Sequence, residues 1–244
     1  MCTLTWRAVR EGGYDLFFNR DELNARGAEQ PPRLESIGGV LFAAPRDGDR
    51  GGSWILANAH GLTVALLNDY ACGWRPPANG AASRGALVMA CATAATPEAV
   101  VELIGAMTLE RVRAFKMVVL DADGRDARLH WDGDSLTGET GETLFFETSS
   151  SFATAAVCEA RRQRYETLLA GREAAEADEL KGFHWTHDHA DGAGSVLMRR
   201  PDARTRSVIQ IRTRHDRVEM DYRPVGENAG AANAGGVTVE FARL

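Results

Sequence analysis

The 244-residue sequence is poor in most features that would assign a chain to a class by composition. Cysteine occurs four times, at Cys2, Cys72, Cys91 and Cys158, and no pair stands at the C-x-x-C spacing of a zinc ribbon or a redox couple. In a reducing compartment such thiols stay free, so no structural disulfide is expected. Long apolar runs are lacking as well. The longest nearly apolar stretch, residues 85–95, is about half of the roughly 20 residues a spanning helix needs. The first segment carries Arg7, Arg10 and Glu11 where a secretory leader would have a continuous apolar region, which makes cytoplasmic residence the expectation. Basic charge is scarce: 28 Lys and Arg stand against 34 Asp and Glu, for a net charge of −6. The basic residues are scattered, so a nucleic-acid partner has no electrostatic footprint. Only residues 226–236, rich in Gly, Ala and Asn, read as low complexity, and they read as a loop, leaving one domain over residues 1–244.

What is present is an ordinary globular balance, 44% hydrophobic and 25% charged, enough for a sizeable core without staples. Residues 2–8 alternate apolar and polar, Gly12-Gly13 supplies a turn, and residues 14–21 form a second strand, so the chain opens on a β-hairpin. Further strands are expected over 40–44, 53–58 and 62–68, the last two joined through Ala59-His60-Gly61. An apolar helix follows Ser83-Arg84-Gly85, and Thr96-Pro97-Glu98 opens another with threonine as cap and proline at the first helical position. Strand patterns return over 115–120, 127–131 and 143–147, helical spacing over 155–169, and strands over 195–198, 207–212, 218–222 and 237–244. Antiparallel hairpins interrupted by paired helices, without βαβ alternation, give an α+β class with two sheets face to face and helices outside.

Cys2 is the residue with the most chemistry in it. Loss of Met1, which a small second residue permits, leaves a terminal cysteine whose α-amino group, with a pKa of about 7.7–8.0, can take the thiol proton. The thiolate is the nucleophile. The bland alternative is a buried first-strand cysteine. With Gly12 and Gly13 as the two central turn residues, Leu23 lies opposite Cys2 and Asp21 opposite Leu4, which puts Asp21 on the face of Cys2 and Arg20 on the other. A bulge or a one-residue slip would reverse that assignment.

Met1-Cys2-Thr3, Phe17-Phe18-Asn19-Arg20-Asp21-Glu22, Gly51-Gly52-Ser53-Trp54 with Asn58, Gly61 and Asn68, Ser83-Arg84-Gly85, and a late Thr205-Arg206-Ser207 together resemble the NRDE family, which includes the transport and Golgi organisation 2 proteins. The pattern is dense over the first 90 residues and thinner beyond. That family is similar to N-terminal nucleophile hydrolases, whose αββα four-layer sandwich agrees with the layers read above. Within those hydrolases the start of the chain resembles the bile-salt hydrolase and penicillin V acylase group. The resemblance implies that Cys2 attacks a carbonyl, Asp21 orients the α-amino base, Arg20 stabilises the thiolate, Asn68 helps hold the oxyanion and Arg206 corresponds to a late arginine. Asn19, Trp54, Tyr70, Ser149 and His187 are the candidate substrate contacts. Where the acylases carry a second asparagine, this chain reads Thr148-Ser149-Ser150-Ser151-Phe152.

Other readings compete at several positions. Asn19-Arg20-Asp21-Glu22 taken alone fits a solvated strand end, where an ion pair contributes only about 0–1 kcal/mol. His184, His187, Asp188, His189 and Asp191 form the densest set of potential metal ligands, but they lie in a polar, Gly-containing stretch without a second Cys/His module. A loop near the site mouth is favoured there, and no metal or cofactor is expected. Gly51-Gly52 lacks the rest of a phosphate loop and reads as a hairpin entry. Arg161, Arg162 and Arg164 read as the solvated face of a helix, and Trp6 and Trp54 as core. Ser149-Ser150-Ser151 has no G-x-S-x-G elbow. The leading expectation is an N-terminal-cysteine amidohydrolase acting on non-peptide amides of a small acyl or hydrophobic ligand through an acyl-thioester. The alternatives are an acyltransferase, or a non-catalytic carrier or trafficking factor for haem, lipid or acyl-CoA.

Overall fold

The computed structural model describes residues 2–72, 80–140, 145–226 and 235–244. Two antiparallel sheets lie face to face. The first has six strands, ordered β10 (Phe146–Ser149), β1 (Cys2–Ala8), β2 (Tyr14–Leu23), β11 (Ala203–Thr213), β12 (Arg217–Pro224) and β13 (Val237–Ala242). The second is a seven-strand meander in chain order: β3 (Gln30–Ile37), β4 (Val40–Arg46), β5 (Ile55–Asn58), β6 (Thr63–Asn68), β7 (Phe115–Leu120), β8 (Asp126–Trp131) and β9 (Leu136–Thr140). Period-2 alternation splits each strand's side chains between two faces. Leu4, Trp6, Leu16, Phe18, Ile209 and Ile211 of the first sheet meet Ile55, Ala65, Leu67 and Val118 of the second in the central core.

The outer faces need cover of their own, and two helix pairs provide it. Helices α1 (Arg84–Ala90) and α2 (Pro97–Gly105) bury Leu87, Val88, Val100 and Ile104 against Leu56, Val64, Phe115 and Met117 of the second sheet. Thr96 caps α2 by accepting the N–H of Ala99 at 3.2 Å, with Pro97 in the first turn as its sequence predicts. On the first sheet, α3 (Thr154–Leu169) and α4 (Ala177–His184) bring Tyr165, Leu180 and Phe183 onto Phe17 and Phe146. The result is the expected αββα sandwich.

Several local expectations need correction. The first hairpin pairs Cys2 with Arg20 and Leu4 with Phe18, not Cys2 with Leu23. The turn is a longer loop in which Val9 N–H donates to Gly13 and Gly12 N–H to Val9, while Gly13 is tied to Ala122. A Cβ on Gly13 would stand 2.0 Å from the carbonyl oxygen of Thr213, so this glycine is needed for the close approach to the end of β11. The shift is by an odd number of residues, so the faces exchange: Arg20 shares the face of Cys2 and Asp21 takes the opposite one. Strand β3 was not legible because Pro31-Pro32 interrupts it. It is the edge of its sheet and its register breaks at those prolines, which is where a sheet tolerates them. Residues 195–198, expected as a strand, form irregular chain outside either sheet. Helix α4 lies beyond the expected helical spacing of 155–169, and its capping box joins Glu176 and Glu179. Of the expected strand over 143–147, residues 143 and 144 lie outside the described residues, as do 227–234 of the expected loop.

Candidate active site

Cys2 enters the first sheet between two partners, Arg20 on β2 and Ser149 on β10. Its thiol faces a cavity of about 830 Å³ whose lining includes Arg20, Trp54, Asn68 and Tyr70, the start of α1 at Ser83, Arg84 and Gly85, and Asp47, Arg50 and Arg113. Burial pushes the Cys2 thiol above its ordinary pKa; the Asp21 charge adds to this, while Arg20 and the backbone N–H of Asp21 oppose it.

Arg20 is the most constrained group in the cavity. Its guanidinium donates to Glu29 at 2.8 Å and to Asp47 at 2.7 Å, with Glu22 at 3.4 Å, and it lies over the ring of Trp54 at 4.3 Å. Its side chain is 6% exposed, so this charge is held by carboxylates and an aromatic face rather than by water. Asp47 is the hub of the surrounding turn. It accepts from Arg20 and Arg26, and its second oxygen receives the N–H groups of Asp49 and Arg50. Burial works against its charge, but the Arg26 hydrogen bonds and the two guanidinium charges prevail and hold its carboxyl below the usual range. Arg84, at the start of α1, donates to the carbonyl of Ala114 at 3.0 Å, and burial lowers its pKa.

Asn68 closes β6 at the cavity and donates to the Tyr70 hydroxyl at 2.7 Å. Ser149 Oγ and Trp54 Nε1 are buried with no hydrogen-bond partner among the described residues. Thus Cys2, Arg20, Asn68, Trp54 and Tyr70 converge on one cavity, and Ser149 adjoins Cys2 in the sheet. Arg206, the extra residue of a bulge between Thr205 and Ser207, turns instead to the carbonyls of Leu23 and Arg26 and does not line the cavity.

Asp21 and Asn19 lie on the opposite face, under α3 and α4. The Asp21 carboxylate accepts from Arg161 at 3.0 Å and from Thr205 at 2.7 Å, and Arg161 also reaches Thr3 and the carbonyl of Ala193. Arg161, expected on a solvated face, is fully buried. The overlooked signal is its spacing: Val157, Arg161 and Tyr165 recur at intervals of one helical turn on the buried side of α3. Asn19, expected to contact substrate, is a structural clamp, with Nδ2 donating to the carbonyls of His184 and Val196. Its Oδ1 therefore accepts, so His184 Nδ1 carries the proton and Nε2 receives the Thr5 hydroxyl. That neutral ring is sealed, and burial together with the Arg161 charge lowers the His184 pKa to about 3.

His184 therefore ends a packed helix rather than a loop at the site mouth. His187 bonds the carbonyl of Leu197 and His189 pairs with Asp191, so these side chains do not converge on a cation. Asp69, Cys72 and His130 are the one group among the described residues whose ligand atoms could share a metal. The four cysteines are free, and among the described residues no helix is long and apolar enough to cross a membrane.

Similar folds occur in solved hydrolases. An N-acylethanolamine-hydrolyzing acid amidase ortholog from Caenorhabditis elegans superimposes with a TM-score of 0.58 at 10% identity, over 86% of this chain and 92% of that one. A variant of conjugated bile acid hydrolase from Clostridium perfringens gives 0.57 at 11% identity, over 98% and 92%. These are likenesses of fold, and the fold is that of N-terminal nucleophile hydrolases. No curated protein sequence matches the chain. The sequence model of the transport and Golgi organisation 2 family matches residues 1–158, a stretch that carries the hairpin, Arg20, Asp47, Asn68 and the cavity wall through Ser151, and the chain belongs to that family.

Proposed function

We propose that the chain is an N-terminal-cysteine amidohydrolase that cleaves non-peptide amide bonds of small acyl ligands, working as a single domain in the cytoplasm. The observation that carries this reading is the opening of Cys2, the second residue of the chain, into a polar cavity directly opposite Arg20. Removal of Met1 gives Cys2 a free α-amino group. That amine takes the thiol proton, the thiolate attacks the acyl carbon, and the carbonyl oxygen becomes an oxyanion. Asn68 Nδ2, turning from Tyr70, donates to that oxyanion. Collapse breaks the C–N bond as the α-ammonium returns its proton to the departing amine, leaving an acyl-thioester. Water, deprotonated by the same amine, then releases the acid and restores the thiol.

Arg20 lowers the cost of the thiolate, and its lock onto Glu29, Asp47 and Trp54 fixes where that help is given. Asp21 retains a role despite the exchanged faces. The α-amino group is a main-chain atom at the end of β1 and is reachable from either side, so a buried carboxylate behind the sheet can still orient it. Ser149, whose buried Oγ lacks a partner among the described residues, pairs with Cys2 in the sheet and lies in the Thr148–Phe152 stretch where the resembling acylases have a second asparagine.

The test pairs intact mass with turnover of a panel of acyl amides and thioesters. The expected result is a mature chain lacking Met1, Cys2-dependent labelling by a thiol electrophile, no turnover by Cys2→Ala, and kcat lowered about 10²–10³-fold in Asn68→Ala. Retained Met1 would overturn the mechanism. Binding of haem or acyl-CoA that is equal in wild type and Cys2→Ala, with no labelling at Cys2, would establish the carrier instead.

A further inference from the structure

We infer that Asp69, Cys72 and His130 form a binding site for a borderline-soft divalent cation of the zinc type. Their donor atoms come from two elements, the turn after β6 and strand β8, and all three lie within 4.8 Å of one another. His130 Nε2 stands 2.8 Å from Asp69 Oδ2, and Cys72 Sγ lies 3.4 Å from the same oxygen. Zinc at about 2.0–2.3 Å from N, O and S ligands sets those ligands about 3.3–3.8 Å apart at tetrahedral angles. The observed spacing needs only small side-chain rotations to reach that figure. One nitrogen, one sulfur and one carboxylate oxygen also make a donor set that favours zinc over magnesium or calcium.

The surroundings support the site. Asp69 Oδ1 accepts the N–H of Ala71 at 2.8 Å, which orients the carboxylate and leaves Oδ2 for the ion. The Asp69 backbone N–H is anchored to the carbonyl of Ala114. Lys116 is the adverse neighbour, and its ammonium is engaged by Glu147 at 2.8 Å. Asp132 adds negative charge near Cys72. Binding displaces the thiol proton of Cys72 to solvent, leaving a thiolate ligand. Asp69 lies between Asn68 and Tyr70, both of which line the cavity, so an ion there ties the cavity wall to β8. This site does not depend on the amidohydrolase reading.

The experiment uses the full chain stripped of metal by chelator and titrated with Co²⁺, then with Zn²⁺. One Co²⁺ per chain is expected, with a thiolate charge-transfer band in the near ultraviolet that Zn²⁺ abolishes. Cys72→Ser should lose that band, and His130→Gln should weaken Zn²⁺ binding at least about tenfold, since even outer-shell changes cost 10–100-fold. Cys2→Ala should keep both the band and the affinity. Far-UV circular dichroism of each variant identifies any that has not folded. The inference is overturned if the wild type shows no thiolate band, or if the band and affinity persist in folded Cys72→Ser and His130→Gln.

Discussion

Burial and reactivity pull Cys2 in opposite directions. A thiol desolvated in the first strand stays protonated near neutrality, with Arg20 and the Asp21 N–H working against that burial, and in the proposed mechanism the α-amino group that loss of Met1 would free takes the thiol proton. Asp21 and Arg161 lie directly behind it, both fully buried in their side chains and bonded at 3.0 Å. Removing one member of such a pair leaves an uncompensated charge, so Arg161→Leu should lower unfolding free energy by about 3–5 kcal/mol in denaturant titrations, while the double change Asp21→Asn with Arg161→Leu should cost less than the sum of the two. His184 gives a separate signature. Its folded pKa of about 3 lies below the ordinary 6.5, so the unfolded chain binds the extra proton between those values. This contribution to stability is complete above pH 6.5 and declines as pH falls towards 3, by up to about 1.4 kcal/mol per pH unit. Denaturation midpoints measured between pH 7 and 5 should fall accordingly, and His184→Phe, though less stable at pH 7, should show a shallower slope.

Among the elements, the loop ahead of β5 and the start of α1 meet at two glycines. A Cβ on Gly52 would lie 2.7 Å from the backbone carbon of Gly85, and one on Gly85 would lie 2.9 Å from the backbone of Ser53. Backbone has no rotamer with which to yield. Gly52→Ala should therefore destabilise the fold by about 1–3 kcal/mol, read as a lower Tm, and should slow labelling of Cys2 by displacing the cavity wall. The sequence made both glycines visible but not their contact, because they lie over thirty positions apart. The same limit explains the other misreadings. Alternation revealed β1 and β2, whereas their register depended on how Gly13 tucks against Thr213, a contact between distant segments. The Thr96 cap was legible because cap and helix are neighbours in sequence. Strand β3 was hidden because prolines and charges suit an edge, and whether a strand is an edge is decided by the completed sheet. At the site, Cys2, Arg20 and Asn68 could be read from strand ends and family pattern. Glu29 and Asp47 could not, since nothing local says that a turn carboxylate will neutralise an arginine on another sheet.

In the whole molecule, the four layers follow from composition and order: hairpins with period-2 alternation, then helices, then hairpins again. What order alone did not disclose is how differently the two sheets are joined along their length. Away from the cavity they meet through aliphatic and aromatic side chains. At the cavity the first sheet's Arg20 is joined to Glu29 and Asp47, which flank β3 and β4 of the second, and the half-exposed Arg26 strengthens the same cluster. Solvent composition acts on these two joints to different degrees. An excluded salt such as ammonium sulfate tightens apolar contact, while its ions screen the more exposed charge pairs. The interior is thereby consolidated, while the joint at the cavity feels those ions chiefly through the partly exposed Arg26, because Arg20, Glu29 and Asp47 are shielded from solvent.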